Sequence, residues 1–105
     1  MAATLTHRSG RMTANFVDAD LDPLVAELDG PDDAEHPDVS VTHESGWALS
    51  AFPSGLLVWE NIDSDGPGAH RASVDRIEVR RLFGLLARDD VGAVASLGWE
   101  PGYGG

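Results

Sequence analysis

The sequence predicts an α+β fold: a three- to four-stranded antiparallel meander with an N-terminal helix and a longer C-terminal helix packed on one face. Three observations carry this expectation. Two segments, 20–30 and 74–88, repeat apolar side chains at helical spacing. Three segments between 39 and 62 carry strand signals, and clusters of Gly, Pro, Asp and Ser separate them. The chain of 105 residues is long enough for one core of two packed layers. Residues 13–105 are therefore expected to be a single domain. Residues 1–12 are expected to be a disordered lead-in, because they bury too little to offset their ordering entropy.

Asn15, Phe16 and Val17 suggest a short first strand. The first helix follows: Leu21, Leu24, Val25 and Leu28 stand at i, i+3, i+4 and i+7. Asp22 before Pro23 suits the helix start, and Gly30 suits a left-handed stop. Residues 30–38 hold two prolines and four carboxylates, which suits a solvated loop. Strands are then expected over Val39–His43, Trp47–Phe52 and Leu56–Ile62. Pro53 and Gly55 fit a type I turn closed by a left-handed residue, the three-residue hairpin connection. That connection sets Ala51 opposite Leu57, Leu49 opposite Trp59 and Trp47 opposite Asn61. Trp47, Leu49, Ala51, Leu57 and Trp59 then share a core face, while Ala48, Ser50, Phe52, Leu56, Val58 and Glu60 share the other. A second acidic loop covers 63–68, and His70–Ala72 suggests a fourth strand. Ser73 is expected to cap a helix from Val74 to about Arg88, with Val79, Leu82, Phe83 and Leu86 as its apolar stripe. A last short helix runs from Asp90 to Leu97, after which Trp99 can dock.

Charge is distributed unevenly. Eighteen carboxylates and seven arginines give a net charge of −11. No basic side chain lies between Arg11 and Arg71, whereas Arg71, Arg76, Arg80, Arg81 and Arg88 fall on the second helix and its approach. An acidic field repels nucleic acid and anionic membrane and attracts basic surfaces, so a basic protein is the expected partner. No run approaches the roughly twenty apolar residues that span a bilayer. Residues 1–13 lack an apolar segment of signal-peptide length, so cytoplasmic residence is expected. Absence of cysteine excludes thiol catalysis, thiolate metal sites and disulfides.

Motifs with chemistry are scarce. Asp18, Asp20 and Asp22 have the alternate spacing of a calcium loop, but Pro23 replaces its turn glycine; helix capping explains them more simply. Asn61, Asp63 and Asp65 match only half of such a loop. His36 and His43, with Asp38 or Glu44, could form a three-ligand zinc set, although no spacing fixes it. The GxSxG elbow and the phosphate-cradling glycine loops do not occur, and no local signature places a histidine beside a serine. The expectation is therefore a non-enzyme with no cofactor and no metal. Arg76, Arg80 and Arg81 of the second helix are expected to pair with the chain's own acids.

The order of elements, with the strand Leu57-Val58-Trp59-Glu60 and a terminal tryptophan, resembles small actinobacterial immunity-type proteins of polymorphic toxin systems. The likeness implies a stoichiometric inhibitor that occludes a basic toxin domain. Charge independently suggests Asp32, Asp33, Glu35 and Asp38 from the first loop, with Glu60, Asp63 and Asp65 from the second region, as partner-binding residues. Two alternatives stay open. One is a small-ligand or metal-binding domain, including an enzyme of unknown type, using a pocket of Ser50, Val58, His43 and Glu60. The other is a structural homodimer through Phe52, Leu56 and Val58.

Overall fold

The computed structural model describes residues 3–14, 16–30, 38–62 and 68–102. Among these residues the strands are β1 (Ala3–Thr6), β2 (Met12–Ala14), β3 (Val39–His43), β4 (Trp47–Ala51), β5 (Leu57–Asn61), β6 (Ala69–Arg71) and β7 (Glu100–Pro101). The α-helices are α1 (Leu21–Ala26), α2 (Arg76–Ala87) and α3 (Val91–Ala95), with 3₁₀ turns on both sides of α1. The α+β class holds, but the sheet has seven antiparallel strands rather than three or four, in the order β2-β1-β3-β4-β5-β6-β7.

The central hairpin follows the sequence. Ala51 lies opposite Leu57, Leu49 opposite Trp59 and Trp47 opposite Asn61. Gly55 takes φ +91°, and the Phe52 amide donates to the Leu56 carbonyl at 2.9 Å, closing the three-residue connection. Gly55 is also pinned from outside. Its carbonyl accepts from the Val74 amide at 2.9 Å, and a Cβ there would stand 3.0 Å from the Val74 oxygen. Both the dihedral and the close backbone approach require glycine.

Leu5, Val39, Val41, Leu49, Ala51, Leu57 and Trp59 occupy alternate strand positions. They form one core cluster with Leu21, Leu24, Leu28, Val79, Leu82, Phe83, Leu86 and Val94 of the helical segments. The indoles continue this core toward the chain end. Trp47 stacks on Trp59 at 4.8 Å and 8°, and Trp59 on Trp99 at 6.0 Å and 16°. The Trp99 Nε1–H donates to the Val94 carbonyl at 2.8 Å, which holds the last segment against α3.

Four local expectations are corrected. The stretch expected to be a disordered lead-in contains β1, which lies between β2 and β3; Leu5 is 1% exposed and faces Val41. Ala3 and Leu5 are too few to order a strand alone, but two neighbouring strands satisfy its backbone groups and bury both side chains. Phe16 is a core residue outside any strand, Val17 is exposed, and Asn15 lies outside the described residues. Gly30 is extended (φ −78°, ψ −176°) rather than left-handed, because α1 tightens into a 3₁₀ turn over Glu27–Asp29. The cap of α2 is Asp75, whose side chain accepts from the Glu78 amide at 2.8 Å; Ser73, at φ +58°, turns the chain so that Val74 reaches Gly55.

The position of β1 gives a direct test. Leu5→Ala should destabilise the protein by about 2–5 kcal/mol in urea titrations, the range for a fully buried leucine. Thr4→Ala, one residue away on the other face, should stay within about 0.5 kcal/mol. Equal effects would contradict β1 as a core strand.

Candidate functional site

The separation of charge along the sequence disappears on folding. The Arg80 Nε donates to Asp22 Oδ1 at 2.8 Å and its Nη2 donates to Asp18 Oδ2 at 2.7 Å. The Arg88 Nη1 lies 3.6 Å from Asp18 Oδ1. The Arg76 Nε donates to Asp29 Oδ1 at 3.0 Å, and its Nη2 donates to the Pro53 carbonyl at 2.9 Å. Arg81 grips Glu78 with two bonds of 2.7 and 2.8 Å, and Arg71 approaches the same carboxylate at 3.7 Å. So each arginine from 71 to 88 has a carboxylate of its own chain. Three of those carboxylates come from the α1 segment, Asp29 standing 47 residues before Arg76 and Asp22 and Asp18 standing 58 and 62 before Arg80, where loop closure is already provided by the core. Asp20 instead accepts from the Val17 amide at 2.9 Å. The aspartate triplet of the calcium spacing is therefore divided between arginine pairing and a turn.

These pairs shift acidities in one direction. Hydrogen bonding to Arg80 holds the Asp18 carboxyl below its ordinary value, against the opposing effect of desolvation, and Arg81 does the same for Glu78. The partners Arg80 and Arg81 are correspondingly raised. A carboxyl more acidic when folded contributes fully above the ordinary carboxylate range. Its contribution is lost as pH falls through the lowered value, because the unfolded chain takes up the proton first. Arg80→Met should therefore unfold at lower urea than the parent near pH 6, and the gap should narrow at about pH 3. A gap independent of pH would show that Arg80 acts through packing alone.

Of the seven acidic residues expected to bind a partner, Asp32, Asp33, Glu35, Asp63 and Asp65 lie outside the described residues. Asp38 and Glu60 are described, and both are half-buried. The register fixes where the two acidic loops leave the sheet. Val39 lies opposite Ala51, which in turn lies opposite Leu57, at one end of the strands, whereas Asn61 lies opposite Trp47 at the other. Asp38 and Ile62 are thus separated by about 20 Å along the strand direction. The loops do not start from one edge.

No family model, curated protein or solved structure matches this chain.

One constellation escaped the sequence reading. The Asp89 Oδ1 lies 2.6 Å from His43 Nε2, and the Ser45 Oγ lies 2.8 Å from His43 Nδ1. The Ser45 amide also donates to Nδ1 at 3.1 Å, so Nδ1 is an acceptor and the ring proton sits on Nε2, where it is donated to Asp89. His43 is 8% exposed, and Asp89 adopts φ +65° at the end of α2, a conformation that aspartate tolerates. The pair His43 and Ser45 is local and visible in sequence, but Asp89 stands 46 residues away. This is the connectivity of a serine relay, yet the turn gives an oxyanion little help. The Ser45 amide is bound to the ring, and the Gly46 amide to the His43 carbonyl at 2.9 Å. The arrangement ties the β3–β4 turn to the α2–α3 corner. With both ring nitrogens engaged, His43 is also a poor member of a zinc set; His36 lies outside the described residues. Among the described residues no group of three or more His, Asp or Glu is placed to hold a metal.

The pocket expected from Ser50, Val58, His43 and Glu60 does not form, because alternation sends His43 to the core side and the other three to the opposite face. A different cavity of about 270 Å³ is lined by Leu5, His7, Arg11, Thr13, Asp20 and Pro23. There His7 Nδ1 meets Glu27 Oε2 at 2.5 Å, and Arg11 Nη2 lies 3.3 Å from His7 Nε2. Among the described residues no helix is long and apolar enough to cross a membrane.

Proposed function

We propose that this chain is an acidic protein-binding module of the cytoplasm that engages a basic protein, as an immunity-type inhibitor engages a toxin domain. The observation that supports it is the internal engagement of Arg71, Arg76, Arg80, Arg81 and Arg88. Those pairs neutralise the arginines of the second helix and its approach, while the net charge of the chain is −11. The remaining field steers a basic partner and chiefly raises its association rate.

Affinity capture from the cell lysate, at low and high salt, tests the reading. A basic protein retained at low salt and weakened at high salt is the expected result. Changing Asp32, Asp33, Asp63 and Asp65 together to asparagine should slow its association and flatten the salt dependence. Unchanged rates would remove the role of charge.

A second reading, small-ligand binding, is favoured by the cavity beside His7 and Arg11. A ligand present at a hundred times its dissociation constant adds about 2.7 kcal/mol of stability. A thermal-shift panel of anionic metabolites should then raise the midpoint of the parent but not of Arg11→Ala. A flat panel would count against this reading.

A further inference from the structure

We infer that the cavity between β1, β2 and the start of α1 binds a small α-amino acid with an apolar side chain; this rests on the small-ligand reading above and narrows it. Arg11 and Asp20 both line that cavity, yet they do not pair with one another. Neither has an ion-pair partner among the described residues, whereas the neighbouring Asp18 and Asp22 are both taken by Arg80. A cation and an anion that share one cavity and stay apart suit a ligand that carries both charges.

Arg11 is held in place by a chain of bonds. Arginine only donates, so His7 Nε2 accepts the 3.3 Å bond from Arg11 Nη2, and the ring proton lies on Nδ1 toward Glu27 Oε2. Glu27 Oε1 in turn accepts the Arg8 amide at 3.1 Å. One Nη of Arg11 is thereby used, and the rest of its planar fork is left for a carboxylate. Asp20 is fixed through Oδ2, which accepts the Val17 amide at 2.9 Å, and its Oδ1 is left for an ammonium. Leu5 and Pro23 supply apolar wall, and Thr13 supplies a hydroxyl. The volume of about 270 Å³ is below the roughly 300–1,000 Å³ of pockets for drug-sized ligands, so the occupant is small.

Ligands with a single charge fit less well. A simple anion approaches a chain of net charge −11 and meets Asp20 in the cavity, and a simple amine meets Arg11. A zwitterion has no net charge to be repelled, and it satisfies both side chains at once.

Calorimetric titration of the full chain with leucine, with isocaproate (leucine without its amine) and with isoamylamine (leucine without its carboxylate) tests the assignment. Leucine should bind at least about tenfold more tightly than either analogue, the worth of one charge-assisted hydrogen bond. Arg11→Gln should weaken leucine and isocaproate about tenfold and leave isoamylamine unchanged. Asp20→Asn should weaken leucine and isoamylamine and leave isocaproate unchanged, since asparagine still accepts from the Val17 amide. Arg81→Gln removes the same charge outside the cavity and should change leucine binding less than about twofold. Thermal melts verify that the variants fold, and the comparison of the three ligands on the parent stands without them. Isocaproate binding as tightly as leucine would overturn the zwitterion while leaving the small-ligand reading intact. So would a response to anionic metabolites with none to valine, leucine or methionine. Leucine binding that neither cavity variant alters would place the site elsewhere and overturn the assignment. No response to any amino acid, analogue or anionic metabolite would overturn both.

Discussion

The register of β4 against β5 is the constraint on which the molecule depends. Side chains alternate with a period of two, so a shift of one residue would send Leu49, Ala51, Leu57 and Trp59 to solvent and bring Ser50 and Glu60 inward. Burying an unpaired carboxylate costs several kcal/mol, which no rearrangement of the remaining apolar residues could offset. Gly55 fixes this register from one end of the hairpin through its positive φ. It also fixes the approach to α2, since its carbonyl accepts from Val74. One turn thus sets both the sheet's faces and the point from which the longest helix departs.

Charge is organised by that same geometry. Once α1 and α2 meet across the core, Asp18, Asp22 and Asp29 come within reach of Arg80 and Arg76. Exposed pairs of this kind contribute little stability each. Their larger effect is on the surface potential: the arginines of the second helix are neutralised by carboxylates of the chain's own helical segments. His43, held between Ser45 and Asp89, serves the fold in a comparable way by fastening a hairpin turn to a helix end.

The central hairpin, α1 and α2 were legible in the sequence because each has enough apolar residues at one period to identify it. The hairpin connections were legible because Pro53, Gly55 and Gly46 have few other uses. β1 was not. Ala3-Thr4-Leu5-Thr6 alternates correctly, but two apolar positions carry little signal, and its partner His43 is separated from Ala3 by the whole of α1. β7 was hidden for a related reason: two residues, one of them Pro101, qualify as a strand only through pairing with β6. The acidic residues were visible as a group, and Asp38 and Glu60 remain accessible to solvent in part. What composition could not show was the departure of the two loops from opposite ends of the strands, since that follows from register. Nor could it show Asp89 meeting His43, a contact made only after β3 and α2 are packed.

The stacked indoles carry a practical consequence. Trp47, Trp59 and Trp99 come from β4, β5 and the segment leading into β7, and their near-parallel rings lie close enough for their excited states to couple. The protein therefore holds a built-in optical reporter of whether its terminal segment is seated. Lifting Trp99 from Trp59 would break the Nε1–H bond to Val94 and uncouple one ring, while leaving the Trp47–Trp59 pair in place. Near-ultraviolet circular dichroism would then separate loosening of the last strand from global unfolding, with no label attached to the chain.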